Sequence, residues 1–151
     1  MLICVLFIQE SPLTVTARSL QNLQVEIKAS NHQILADEPL RDGGEDQGPS
    51  PYDLLLSSLA ACKVMTVHLY ARRKKWPVET VTLTLNHHKI AANKCDDCET
   101  EGFAKVDIIE CEISFEGDLD AEQIQRLAEI ADRCPVHRTL TSETKIRTAV
   151  V

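Results

Sequence analysis

The sequence predicts an α+β domain with largely antiparallel strands. Three features carry this expectation: period-two apolar runs on both sides of the chain, one long apolar helix closed by a proline, and a shorter capped helix towards the C-terminus. The 151 residues suit one domain, residues 1–151, which buries about two-thirds of its unfolded surface without disulfide staples. Aromatic residues make up only 4% of the chain, so the core is expected to be aliphatic.

Met1 to Ile8 (MLICVLFI) is apolar. It has no basic flank or small-residue cleavage site and is too short to span a bilayer. A buried strand, or a tail on a neighbouring subunit, is expected there. Leu23, Val25 and Ile27 alternate with polar residues, the pattern of a half-buried strand. Asn31-His32 suits a tight turn, and Ile34-Leu35-Ala36 a return strand. Arg41 to Pro51 is Gly-, Pro- and acid-rich, hence a loop.

Ser50-Pro51-Tyr52-Asp53 reads as a helix start, with Ser50 capping, Pro51 at the first helical position and Asp53 completing a capping box. The helix should reach about Lys75, with Pro77 enforcing the stop. It is apolar nearly all round, which marks a buried helix, and its length of about 37 Å exceeds the width of a small domain. Such a helix calls for a second subunit to cover it. Val81, Leu83 and Leu85, then Ile109, Cys111, Ile113 and Phe115, read as further strands separated by a polar excursion from His87 to Gly102. Asp120 and Gln123 form a second capping box, with Leu119 and Ile124 as a hydrophobic staple. Ile124, Leu127, Ala128, Ala131 and Cys134 follow on one helical face. Pro135 interrupts, and Thr144 to Val150 suggests a closing strand.

A net charge of −7 and a pI near 5.2 argue against a nucleic-acid partner or an anionic membrane surface. With no targeting segment recognised, the cytoplasm is the default, and there the six cysteines are expected to be thiols used for packing, metal or redox chemistry.

Cys62 falls mid-helix, where a free cysteine is most often a small core hydrophobe. The macrodipole fades within the first turn, so a thiolate there needs a cation from elsewhere. Arg18 and Arg41 are the upstream candidates; Lys63 is adjacent but rotated about 100° away. Cys134 precedes Pro135 and would cap any helix that starts there, a setting that favours a thiolate; packing alone is the bland alternative. Cys95 and Cys98 form a C-x-x-C. Zinc could recruit His87 and His88 beside them, although structural zinc requires four ligands. Asp96, Asp97 and Glu99 disfavour a thioredoxin-like pair, and a solvated loop is the third reading. Cys4 and Cys111 fall on apolar runs and are expected in the core. No serine elbow, phosphate loop or dinucleotide fingerprint is present.

From Gly43-Gly44 to Cys62 (GGEDQGPSPYDLLLSSLAAC), and again over Cys134-Pro135-Val136-His137-Arg138-Thr139-Leu140, the chain resembles the OsmC/Ohr family. The resemblance spans roughly Leu35 to Arg147 and is to the general OsmC-like branch rather than Ohr itself. It implies an intertwined homodimer with antiparallel sheets wrapped around long central helices. It also implies that Cys62 attacks a hydroperoxide to form a sulfenic acid, and that Cys134, 72 residues on, condenses with it to a disulfide reduced by an external dithiol. In that family an arginine and a glutamate activate the thiolate. Here the arginine is Arg18 or Arg41, and Tyr52 stands at the glutamate position, with Asp53 next. No cofactor is implied. A non-enzymatic protein binding a small apolar molecule, and a metal or redox-sensing module at Cys95 and Cys98, are the alternative functions.

Overall fold

A computed structural model describes residues 13–150, so Met1 to Ile8 and Cys4 lie outside the described residues. The chain forms two compact units, one through Leu54 and one from Leu55 onward.

In the first unit, strands β1 (Val15–Ser19), β2 (Val25–Ala29) and β3 (His32–Ala36) make an antiparallel sheet in that order. β1 was not foreseen. The hairpin pairs Ala29 with His32, so Ser30 and Asn31 form the turn, one residue earlier than expected. Ser30 takes a left-handed φ of 54° there. After β3, the acidic loop is organised by Asp37, whose buried carboxylate accepts backbone N–H bonds from Glu38, Glu45 and Gln47 at 2.8, 3.1 and 3.1 Å. Gly43, at φ 91°, closes a short 3₁₀ turn over Leu40–Asp42, and a side chain at Gly44 would strike the backbone of Glu38. Glycine is required at both positions for steric reasons.

Helix α1 spans Pro51–Lys74 and starts as the sequence predicts. The Ser50 amide and hydroxyl donate to Asp53 Oδ2 at 2.9 and 2.7 Å, and the Asp53 amide donates to Ser50 Oγ at 3.2 Å. Lys75, at φ 56°, ends it. Only one face is buried: Leu59, Lys63, Val67 and Ala71, spaced by four. The opposite face leaves Met65 63% and Leu69 57% exposed, so the expectation of burial all round does not hold within one chain. By length and composition alone α1 could also cross a membrane, a test that core helices of soluble proteins pass as well.

Strands β4 (Val78–Ala91) and β5 (Lys105–Gly117) form a long antiparallel hairpin. The expected polar excursion is shorter than predicted, because His87 to Ala91 extend β4 opposite Lys105 to Ile109. Lys89 and His87 both bond Asp107 Oδ1, at 2.9 and 2.8 Å, and these cross-strand contacts make a polar stretch a stable one. Helix α2 (Ala121–Ala131) carries the predicted Asp120–Gln123 capping box. Leu127 of α2, with Ala131, Val67, Ala71 and Val81, forms the buried core, with Ile113, Phe115 and Trp76 packed around it. Helix α3 (Pro135–Thr141) follows. The closing strand expected over Thr144 to Val150 is not formed. Those residues are exposed and pair with no strand among the described residues.

Candidate active site

Cys62 lies half-buried on α1, and Cys134 is completely buried, 0% exposed, at the start of α3. The two thiols lie close enough for Cys62 to act on the acidity of Cys134. Local sequence could not show this meeting, because it depends on α1 and the α2–α3 junction packing together. Cys134 is the N-cap of α3, its Sγ accepting from the His137 amide at 3.3 Å. Pro135 at the first helical position sets this up by ending α2 and fixing the first φ of α3. Burial pushes the Cys134 thiol up, and the neighbouring Cys62 adds to the rise, outweighing the opposing pull of the His137 N–H and the Lys63 ammonium. Cys134 therefore rests as a thiol.

The residue that sequence reasoning passed over is Lys63, only 2% exposed. Its ammonium donates to Asp132 Oδ1 at 2.6 Å and to His137 Nδ1 at 3.1 Å. A signal was available: Lys63 interrupts the four-residue spacing of Leu59, Val67 and Ala71, and a lysine on a buried stripe needs a partner. A cleft of about 380 Å³ opens beside this ion cluster. Leu59, Ile109 and Leu140 give it apolar walls, while Lys63, Asp132 and His137 supply the polar end. Cys111 also lines it. Expected in the core, Cys111 is instead exposed, because its face of β5 opens onto the cleft. Partial burial still raises its thiol, against the pull of Lys63.

The other predicted helpers lie in the first unit, or at its end, and have local partners. Arg18 pairs with Glu26 at 3.7 Å, and Arg41 with Asp42 at 3.2 Å. Asp53 is engaged in the α1 cap, where the Ser50 hydroxyl and amide hold its carboxyl below the usual range.

Cys95 and Cys98 are joined in a disulfide, with Cα atoms 5.4 Å apart. This corrects their reading as thiols. The turn that follows a 3₁₀ segment (Ala92–Lys94) brings residues three apart within bridging reach. Asp97 Oδ1 lies 3.3 Å from Cys95 Sγ. Cys95, Asp97 and Cys98 are the one metal-compatible cluster among the described residues, and it recruits neither His87 nor His88. His87 is bonded to Asp107.

No curated protein matches the chain. Among solved structures it is similar to a Psychrobacter arcticus protein described as an osmotic stress induced and detoxification response protein, at 22% identity and TM-score 0.68, covering 86% of this chain and 89% of that one. A Legionella pneumophila organic hydroperoxide resistance protein OsmC follows at 20% identity and TM-score 0.62, over 86% and 89%. The organic hydroperoxide resistance protein OhrB of Bacillus subtilis matches at 17% and 0.58, over 85% and 90%. At such identities these likenesses show the fold: an α+β arrangement of antiparallel sheets and helices. The model of the OsmC-like protein family matches residues 44–149, which takes in both cysteine motifs, and the chain belongs to that family.

Proposed function

We propose that this protein reduces hydroperoxides through Cys62 and Cys134. The observation that carries the reading is the neighbouring pair of free thiols drawn from two separate helices. Cys62 is the partly exposed member and suits attack on an incoming peroxide. Its thiolate takes the distal oxygen of ROOH; the O–O bond breaks, Cys62 becomes a sulfenic acid, and the alkoxide leaves as alcohol on gaining a proton. Cys134, buried and protonated at rest, suits the resolving role. Its sulfur attacks the sulfenic sulfur, the S–O bond breaks, water leaves, and an external dithiol later reduces the Cys62–Cys134 disulfide. The names borne by the Legionella and Bacillus structures support the same substrate class. The uncovered face of α1 supports a homodimer, and the dithiol requirement a cytoplasmic setting.

The test is single turnover. Reduced protein given one equivalent of tert-butyl hydroperoxide should form the Cys62–Cys134 bond rapidly, and Cys62→Ser should not. Thiols that stay alkylatable would end the enzymatic reading and leave the cleft as a binding site for a small apolar molecule. A second reading has its own observation: the Cys95–Cys98 disulfide with Asp97 alongside suits a redox or metal-sensing loop. Metal content of the reduced protein, purified without chelator, tests it; zinc at one equivalent, lost in Cys95→Ser, is the supporting result.

A further inference from the structure

We propose that Lys63 is a positioning residue for disulfide closure, acting through the α2–α3 junction to set when Cys134 becomes a thiolate. The proposal deepens the peroxidase reading, and only its kinetic arm rests on that reading.

The geometry is specific. The Lys63 side chain leaves the buried face of α1 and ties down both flanks of Cys134: Asp132 two residues before it, and His137 three residues after. His137 Nδ1 thus lies against the Lys63 Nζ at 3.1 Å and 3.6 Å from Asp132 Oδ1. The same His137 donates its backbone N–H to Cys134 Sγ. One cation thus holds the imidazole of the residue whose amide caps the sulfur, and its positive charge lies near that sulfur. Cys62 and Lys63 from α1, and His137 from its own junction, act on Cys134, and Asp132 is paired with Lys63. Cys111 of β5 faces Lys63 and Asp132 in turn. Of these, only Lys63 carries a fixed positive charge in the buried space. Asp132 opposes it, but with its side chain 67% exposed, much of that opposition is screened by water.

Closure needs the Cys134 proton gone to solvent before its sulfur attacks. The S–S bond then forms, the S–O bond of the sulfenic acid breaks, and the departing hydroxide is protonated to water. Burial alone would leave Cys134 too weakly acidic for this step. The arginine and glutamate of the family resemblance concern Cys62; Lys63 serves the other sulfur.

The experiment uses full-length protein carrying ¹³Cβ-labelled cysteine, in a Cys62→Ser background to remove coupling, and reads the Cys134 resonance against pH. Lys63→Met should move the Cys134 midpoint up by about one unit, and Asp132→Asn should move it down. Opposite shifts are the signature of charge, since a merely structural role would move both variants alike. Lys63→Met strands no buried carboxylate, because Asp132 is exposed. If it nevertheless fails to fold, the downward shift in Asp132→Asn decides alone. In the kinetic arm, with Cys62 present and tert-butyl hydroperoxide added, a dimedone reagent reads sulfenic acid formation and disulfide mapping reads closure, so the closure rate of Lys63→Met is measured separately from the step before it. A pKa one unit higher cuts thiolate tenfold but raises its nucleophilicity about threefold, so closure at neutral pH should slow about three- to fourfold. Midpoints that stay put, or shift together, overturn the proposal. Wild-type protein that forms no sulfenic acid overturns the peroxidase reading instead, and the titration still decides Lys63.

Discussion

Cys62 and Cys134 come from two helices 72 residues apart, whereas Cys95 and Cys98 are neighbours in one turn. The distant pair meets as free thiols, one of them wholly buried beside a buried lysine. The close pair is already bridged, half-exposed and set among Asp96, Asp97 and Glu99. The difference teaches how a fold divides cysteine chemistry. A local pair is brought together by its turn in any state of the chain, and acidic neighbours discourage its thiolates. A distant pair exists only when the core is formed, so the surrounding helices determine its charge, access and partner.

That contrast can be broken most severely at Cys62. Cys62→Ser should abolish peroxide-driven closure outright, while Cys134→Ser should leave a sulfenic acid at Cys62 and halt turnover after one equivalent; intact-mass measurement reads both. Next comes the scaffold. Leu127 is fully buried in the core, and Leu127→Ala should cost about 2–5 kcal/mol in denaturant unfolding. The same change should slow Cys62–Cys134 closure and leave the Cys95–Cys98 bridge intact. A third expectation concerns pH. Because the Cys134 thiol is raised, closure should accelerate as pH rises, by about tenfold per unit while Cys134 remains mostly protonated. A flat stopped-flow profile between pH 6 and 8 would show that another step limits closure. The smallest effect is expected of the double variant Cys95→Ser/Cys98→Ser, whose Cys62–Cys134 closure should match wild type.

The parts of this molecule legible in sequence are those fixed by neighbours along the chain. Ser50 with Asp53, and Asp120 with Gln123, cap their helices through contacts three residues apart. Pro135 announced the N-cap role of Cys134 for the same reason. The Ser30–Asn31 turn slipped by one residue because strand register, set across the sheet, chose it. β4 ran past its expected end because Lys89 and His87 find Asp107 on β5, a partner invisible to periodicity. Lys63 was misjudged by a related error. Its angle from Cys62 on the helix was right, but the side chain reaches Asp132 and His137, on either side of Cys134 in the chain. Thr144 to Val150 kept the alternation of a strand with no partner among the described residues to make it one.

The most direct test is disulfide mapping by mass spectrometry in the Cys95→Ser/Cys98→Ser protein, reduced and then given one equivalent of tert-butyl hydroperoxide. With the local bridge removed, the account predicts a single new crosslink, Cys62 to Cys134, formed within the first turnover. Cys62 and Cys134 both remaining free to alkylate after the peroxide is added would contradict it.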